Sequence, residues 1–545
     1  MKKLAFTIAA ALFAAQSCNM KQSVDFIGHN GVVYTVDSSF SVVEAFAIKD
    51  GLFVETGSNE EILSKYKSKN TCDFNGNAVY PGFNDTHCHT YLTGIDLISV
   101  DLRNASSFEQ ILERLQKAAA ENPEASCIVG NGWDQNLWEK KQFPDNGKLS
   151  ELFPDIPIVL NRIDLHAIIV NRAAIEKAGL SEQDKNIDPL KALTENGRFT
   201  GVFLEDMCDR ISDAVISYTP ADIRRIFSIA QQECLKYGLT SVCEPGIDLL
   251  ALKVLDSMAS EGKIKLRMDV WATPTEEFKA SHTQPYRNGN IQVGTIKLFR
   301  DGALGSRGAL LLKDYSDDKG NCGISMESLD SFRAQCQWAY DHGFRVATHC
   351  IGDRANREAL DIYGEILKGK NDLAWRIEHA QIVEKEDLAK FGQFSIIPSV
   401  QPTHCTSDML WAGERLGERI KNAYAYKELL GQSGWIPSGT DAPIESCNPV
   451  YTFFAAVYRK NLDFVPEGGF QMENSLTKEE ALRSMTIWAA KSTKEEQIKG
   501  SIEAGKYADF TVTDKDLMTA PEKEIPSIKV VATYIGGEKV YSLVP

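Results

Sequence analysis

Apolar positions at the two ends of the chain come in short alternating runs, the period of half-buried strands. After residue 24, Val32-Val33-Tyr34-Thr35-Val36, Val42 to Ile48 and Leu52-Phe53-Val54 are broken by Gly31, Asp50-Gly51 and Gly57, residues that punctuate strands. The far end has the same texture: Ala508 to Thr513, Val530 to Ile535, Gly536-Gly537 and Lys539-Val540-Tyr541. Residues 24–80 and 496–545 are therefore expected to form one small sheet domain. Between them, over 81–495, the period changes. Ile223 to Lys236 is amphipathic at helical spacing, Tyr237-Gly238 stops it, and Leu239-Thr240-Ser241-Val242 follows as a strand. Leu329 to Asp341, His342-Gly343 and Phe344 to Thr348 repeat the unit, and Glu386 to Phe391 precedes an expected strand at Phe394 to Ile397. Repeated helix–glycine–strand units predict an α/β fold of parallel strands with crossover helices. A doubly wound sheet and an eight-stranded barrel both satisfy that pattern, and no GxGxxG follows the early strands to favour dinucleotide binding. Residues about 100–200 break the alternation with Trp133, Asp134, Trp138 and several prolines. They are expected to be an insertion over one end of a barrel, the end whose loops build the site.

Composition adds limits rather than detail. The 545 residues exceed one ordinary compact core, while 43% hydrophobic and 25% charged residues are usual for a soluble protein. A formal charge of −16 offers no general attraction to phosphate backbones, which excludes nucleic acid as a partner class. Lys2-Lys3, the apolar run Leu4 to Ala15 and Ala15-Gln16-Ser17-Cys18 read as a secretory signal over residues 1–18. A Cys at the cleavage point resembles a lipoprotein signal, in which Cys18 becomes lipid-modified. Gln16 departs from the usual small residue there, which keeps plain secretion as the alternative. The run is too short to span a bilayer, so the expected membrane contact is the N-terminal lipid alone. The expected location is the cell envelope or periplasm of a bacterium. Twelve cysteines carry no CxxC pair, so neither a zinc knuckle nor a disulfide scaffold is indicated. Cys88, Cys350 and Cys405 read as small buried fillers.

Chemistry enters at residues 79–90, Val-Tyr-Pro-Gly-Phe-Asn-Asp-Thr-His-Cys-His-Thr. On an extended strand His87 and His89 face the same side, as two nitrogen ligands of one metal must. Alone, an HxH is a weak signal. It is strengthened by His349 after Phe344–Thr348, His379 after Arg376-Ile377-Glu378, and Asp441 after Trp435 to Thr440. Each falls at the C-terminal end of an expected strand, where barrel enzymes carry their catalytic groups. Lys297 lies within the apolar strand Gly294 to Phe299, a costly place for a cation. Two readings stand for it: an ion pair with Asp301 at the strand end, or a carbamate formed with CO₂ that ligates metal.

The run Tyr80 to His89, and the order of later ligands, resemble the amidohydrolase superfamily. Ile296 to Arg307 resembles more narrowly amidohydrolase family 3, a branch that includes N-substituted formamide deformylases. Further landmarks are Asn161 to Ala167, His349 to Asn356, Arg376 to Ala380, Ser399-Val400-Gln401-Pro402, Gly439 to Pro443 and Gly500 to Phe510. The resemblance covers nearly all the chain after the signal. It implies a (β/α)₈ TIM-like barrel, with a small β-sandwich formed by both chain ends and an insertion over the barrel mouth. It also implies a metal centre of one or two ions held by His87, His89, Lys297 as a carbamate, His349, His379 and Asp441. Zinc is the default for an imidazole-rich site, with iron, manganese or nickel as alternatives. The implied reaction is hydrolysis of a non-peptide C–N bond of the amide or N-formyl type, through a metal-activated hydroxide with Asp441 as general base and acid. Trp133, Asp164, His166, Arg307 and Gln401 sit in family-like motifs and are the expected substrate contacts. Arg307 has a second reading, tying down backbone carbonyls, and His166 another, a lid hydrogen bond. Asp134 shares such a motif, while Glu205 and Glu244 are assigned no role. A lactone or ester hydrolase with the same site, and a binding lipoprotein without catalysis, are the rival functions. The expected partners are a small-molecule substrate and, at most, a second copy of the chain in a homodimer.

Overall fold

In the computed structural model, which describes residues 21–544 apart from 136–137, 163–166, 185–186, 188–190 and 205, parallel strands curl into one sheet. Its path runs through Phe83–Asp85, Leu239–Ile247, Arg267–Ala272, Ile291–Phe299, Arg345–Cys350, Arg376–His379 and Ile397–Ser399. Sequential strands are neighbours throughout, and helices such as Leu329–Asp341 and Asp353–Leu367 make the crossovers. That order excludes the doubly wound sheet, whose strand order reverses. An eighth segment closes the circle. Ser438 bridges in parallel to Val400 beside the seventh strand, and Ala442 bridges in parallel to Cys88 after the first. Backbone bonds run from Gly439 N to Val400 O (3.0 Å) and from Asp441 N to His87 O (2.6 Å). The (β/α)₈ barrel of the sequence reading is the observed fold.

Gly439 is what allows the closure. A Cβ there would stand 2.4 Å from the backbone N of His87 and 2.7 Å from Asp85 Oδ1, too close for any side chain. Gly439→Ala should push the eighth segment off the first strand at a cost of about 1–3 kcal/mol. A thermal melt reads this, and an unchanged Tm would contradict the closure.

Register decides which residues share a level of the barrel. Phe299 pairs with His349, His349 with Glu378, and Glu378 with Ser399. These lie at the C-terminal ends of consecutive strands, so His349 and the Glu378-His379 pair reach the same rim. One boundary differs from expectation. The helix Lys385–Phe394 runs through Phe394, Ser395 takes a left-handed φ of 53° at its end, and the strand begins at Ile397. Phe394 packs its ring over Gly364, where an added Cβ would be 2.7 Å away. Tertiary packing thus claimed an apolar residue that the local pattern assigned to a strand.

Both chain ends meet in two sheets. The strand Phe510–Thr513 lies antiparallel on Ala78–Pro81, the strand that feeds directly into Phe83–Asp85. Their shared core holds Phe26, Phe46, Phe74, Phe510 and Tyr534, with Phe510 and Tyr534 stacked at 4.2 Å. A separate compact unit comprises Tyr91–Ala230 with Leu250–Met258. It carries its own mixed sheet, ordered Val100–Asp101, Ile128–Trp133, Ile158–Arg162, Ala167–Val170, Arg198–Leu204 and Ala192–Glu195. The eleven described cysteines are all free thiols. No helix among the described residues is long and apolar enough to cross a membrane. Residues 1–18, with Cys18, lie outside the described residues.

Candidate metal centre

The first strand ends in Asp85-Thr86-His87, and its geometry is set by Asp85. This buried carboxylate accepts from His87 N (3.0 Å), Thr440 N (3.0 Å) and Thr440 Oγ1 (2.5 Å), tying the first strand to the eighth segment. Burial pushes its pKa up to about 6. His87 and Asp441 are thereby held face to face: His87 Nε2 is 3.3 Å and His89 Nε2 3.2 Å from Asp441 Oδ1. Donor atoms of His87, His379 and Asp441 all lie within 4.8 Å of one another. The His349 and His379 rings meet edge to face at 4.5 Å.

The backbone is strained where the chemistry would sit. His379 and Asp441 adopt φ of 70° and 60°, a left-handed region that non-glycine residues seldom occupy and that costs of order 1–3 kcal/mol. The turn aims both side chains inward from the strand ends.

Protonation states suit cation binding. Burial first, and then Lys297, lowers His349 to about 3; burial and His349 hold His379 well below its usual value, and burial likewise lowers His89. These imidazoles are neutral, the form that ligates metal. Burial alone would raise the Asp441 carboxyl, but His87, His89 and His379 around it hold it well below the carboxylate range. His349 Nε2 and His379 Nδ1 are buried with no hydrogen-bond partner. Buried imidazole nitrogens without a partner are costly, and with Asp441 beside His87 and His379 this donor set fits a divalent ion.

Behind the donors lies a support that the motif reading left without a role. His87 Nδ1 is 2.6 Å from Glu378 Oε2. Burial would raise the Glu378 carboxyl, but Arg376 and His87 pull it down to about 2. Glu378 therefore only accepts and Nδ1 donates to it, which turns Nε2 toward Asp441, the orientation that a carboxylate-supported metal-ligating histidine takes. Arg376 pairs with Glu378, donates to Thr86 O (2.9 Å) and Ser399 Oγ (2.6 Å), and lies under Trp271 at 4.7 Å.

Lys297 sits on the fourth strand with its Nζ 3.4 Å from His87 Nε2, within reach of the Phe299 and Trp271 rings at 4.9 and 5.7 Å. It makes no ion pair with Asp301. That carboxylate accepts instead from the backbone N of Leu310, Ile351 and Gly352 at 2.9, 3.0 and 2.7 Å. Burial lowers the Lys297 pKa from 10.5 to about 8.

The expected substrate contacts fare unevenly. Trp133 is fully buried in the core of the mixed-sheet unit, its indole N–H donated to Leu160 O at 2.8 Å. It packs rather than faces a ligand, and Asp134 is taken by Arg162 at 3.0 Å. Arg307 is committed to Asp317 (2.8 Å), which Arg415 also binds. Its partner is a carboxylate, not the backbone carbonyls of its second reading. Asp164, His166 and Glu205 lie outside the described residues, and Glu244 is buried on the second strand. Gln401 is buried with both amide atoms unpartnered. One residue absent from the sequence reading joins the site: His404, whose Nε2 is 3.6 Å from Asp441 Oδ2.

The profile of the amidohydrolase family matches residues 70–541. YtcJ of Bacillus subtilis strain 168, named as an amidohydrolase, is 30% identical over 94% of this chain and 99% of its own. The N-substituted formamide deformylase of Arthrobacter pascens is 23% identical over 95% of this chain and 98% of its own. The crystal structure of an uncharacterized metal-dependent hydrolase from Pyrococcus horikoshii OT3 superposes with a TM-score of 0.78 at 28% identity, covering 91% of this chain and 99% of that one.

Proposed function

The chain belongs to the amidohydrolase family, and from its site we propose that this metal-dependent hydrolase cleaves an amide or N-formyl C–N bond in a small molecule. One observation carries the reading: the donor atoms of His87, His379 and Asp441 converge within 4.8 Å, beside buried, unpartnered nitrogens of His349 and His379. The formamide deformylase among the relatives supports the N-formyl version. The residues that would hold the ion or ions are His87, His89, Lys297 as its carbamate, His349, His379 and Asp441. Zinc suits so many imidazoles best. When bound, a divalent ion lowers the pKa of water towards ~7 and polarises a carbonyl.

The protein's own groups do the rest. Glu378 fixes the His87 tautomer, and Asp85 fixes the spacing between His87 and Asp441. Asp441, ionised at neutral pH, takes the proton of the attacking water and returns it to the departing nitrogen. Gln401 offers a buried donor and acceptor, a match for an amide's own acceptor and donor. The signal read at residues 1–18 would carry this activity to the cell envelope.

A matched pair of probes, formanilide and phenyl formate, tests the reading on zinc-loaded protein. Turnover of formanilide, lost on exhaustive chelation and restored by added Zn²⁺, is expected. Turnover of the ester alone would favour the ester hydrolase. A protein that binds less than about one ion and hydrolyses neither would leave only the binding role.

A further inference from the structure

We propose that His404 is a substrate-contacting residue of this centre, its Nε2 holding the departing nitrogen of the scissile C–N bond against Asp441. The inference rests on the C–N hydrolase reading above and names a residue that neither the motifs nor the ligand set includes.

The placement is built by the backbone. Helix Pro402–Asp408 starts directly behind the seventh strand, with Pro402 in its first turn. Gln401 O receives both His404 N (3.1 Å) and the Tyr426 hydroxyl (3.0 Å). This anchors the turn and lays the His404 ring parallel to His379, 5.7 Å away with an interplanar angle of 8°.

The two oxygens of Asp441 then divide their surroundings. Oδ1 faces His87 and His89, while Oδ2 faces His404 Nε2 at 3.6 Å. That gap is too long for a direct hydrogen bond. His404 Nε2 is nevertheless buried with no partner, as are both amide atoms of Gln401 three residues earlier. Three buried polar atoms without partners within four residues are costly unless a polar ligand meets them. The proton that Asp441 returns must reach the departing nitrogen, so that nitrogen has to lie beside Asp441. The free oxygen there is Oδ2, and the group across from it is His404. A secondary amide brings an N–H that the Nε2 lone pair can accept, which orients the nitrogen for protonation. An ester has no such hydrogen.

The test compares wild type, His404→Ala and His404→Asn, zinc-loaded, on formanilide and phenyl formate, with metal content by elemental analysis and with free imidazole added to the alanine variant. We expect unchanged metal content. The anilide kcat/KM should fall about 100-fold, the scale for one transition-state hydrogen bond. Loss on the ester should be less than about 10-fold, and imidazole should restore part of the anilide rate. Equal loss on both probes would mean a purely structural role and overturn the proposal, as would lost metal, which would make His404 a ligand. Anilide turnover unaffected by both substitutions overturns it too. Wild-type protein inactive on the anilide would instead sink the C–N hydrolase reading, and this inference with it.

Discussion

Asp441→Asn is expected to lower kcat on formanilide by about 10³-fold, the middle of the range for a lost general acid–base group, while the fold persists. Asparagine is the informative replacement because position 441 has φ 60°, and Asn tolerates left-handed backbone better than Ala does. The contact from Asp441 N to His87 O is made by the main chain and survives. What disappears is the charge that three imidazoles hold far below the ordinary carboxylate range. The amide can still lend an oxygen to a cation but cannot take a proton. A kcat within about tenfold of wild type, with zinc bound and the melt unchanged, would remove Asp441 from the role of base.

The parts of this site legible in the sequence are those that recur at strand ends. His87, His349, His379 and Asp441 each follow an apolar run, and parallel register brings such ends to one rim. The eighth strand was legible only as the apolar stretch before Asp441; in three dimensions it is reduced to single bridges at Ser438 and Ala442. Glu378 stood inside a recognised motif, yet nothing in one dimension says that it faces His87 across the barrel, 291 residues away. His404 was one of only nine histidines and lay just past Gln401-Pro402. A proline opening a helix behind a strand end was the available signal that its first turn faces the rim. Trp133 went the opposite way: an aromatic in a polar motif resembles a ligand contact, but a bulge after Asn131, with Gly132 at φ 98°, turns it off the alternation and into the core. The mixed sheet of residues 100–204 hid for a related reason. Its antiparallel return from Ile158–Arg162 to Ala167–Val170 breaks the helix–strand rhythm on which the barrel reading depended.

Lys297 carries the other large expected effect. Lys297→Met should abolish detectable anilide turnover and weaken metal binding by at least about 100-fold, since even partners of metal ligands cost 10–100-fold. Propionate or acetate should restore part of both by supplying the missing carboxylate, and intact wild-type protein should weigh one CO₂ more than its sequence. The physical premise is that burial leaves this amine largely able to shed its proton near pH 8, and only the neutral amine reacts with CO₂. A stability measurement checks that premise without turnover. In metal-free, CO₂-stripped protein the folded-state pKa of about 8 lies below the ordinary 10.5. The unfolded chain then binds more protons between those values, so stability rises with pH across that window. The penalty is complete below about pH 8 and amounts to roughly 3 kcal/mol. Bicarbonate should erase the slope by removing the amine, and Lys297→Met should lack it from the start. A slope that is absent in stripped wild-type protein, or that bicarbonate leaves untouched, would return Lys297 to a plain buried lysine and the ligand set to His87, His89, His349, His379 and Asp441.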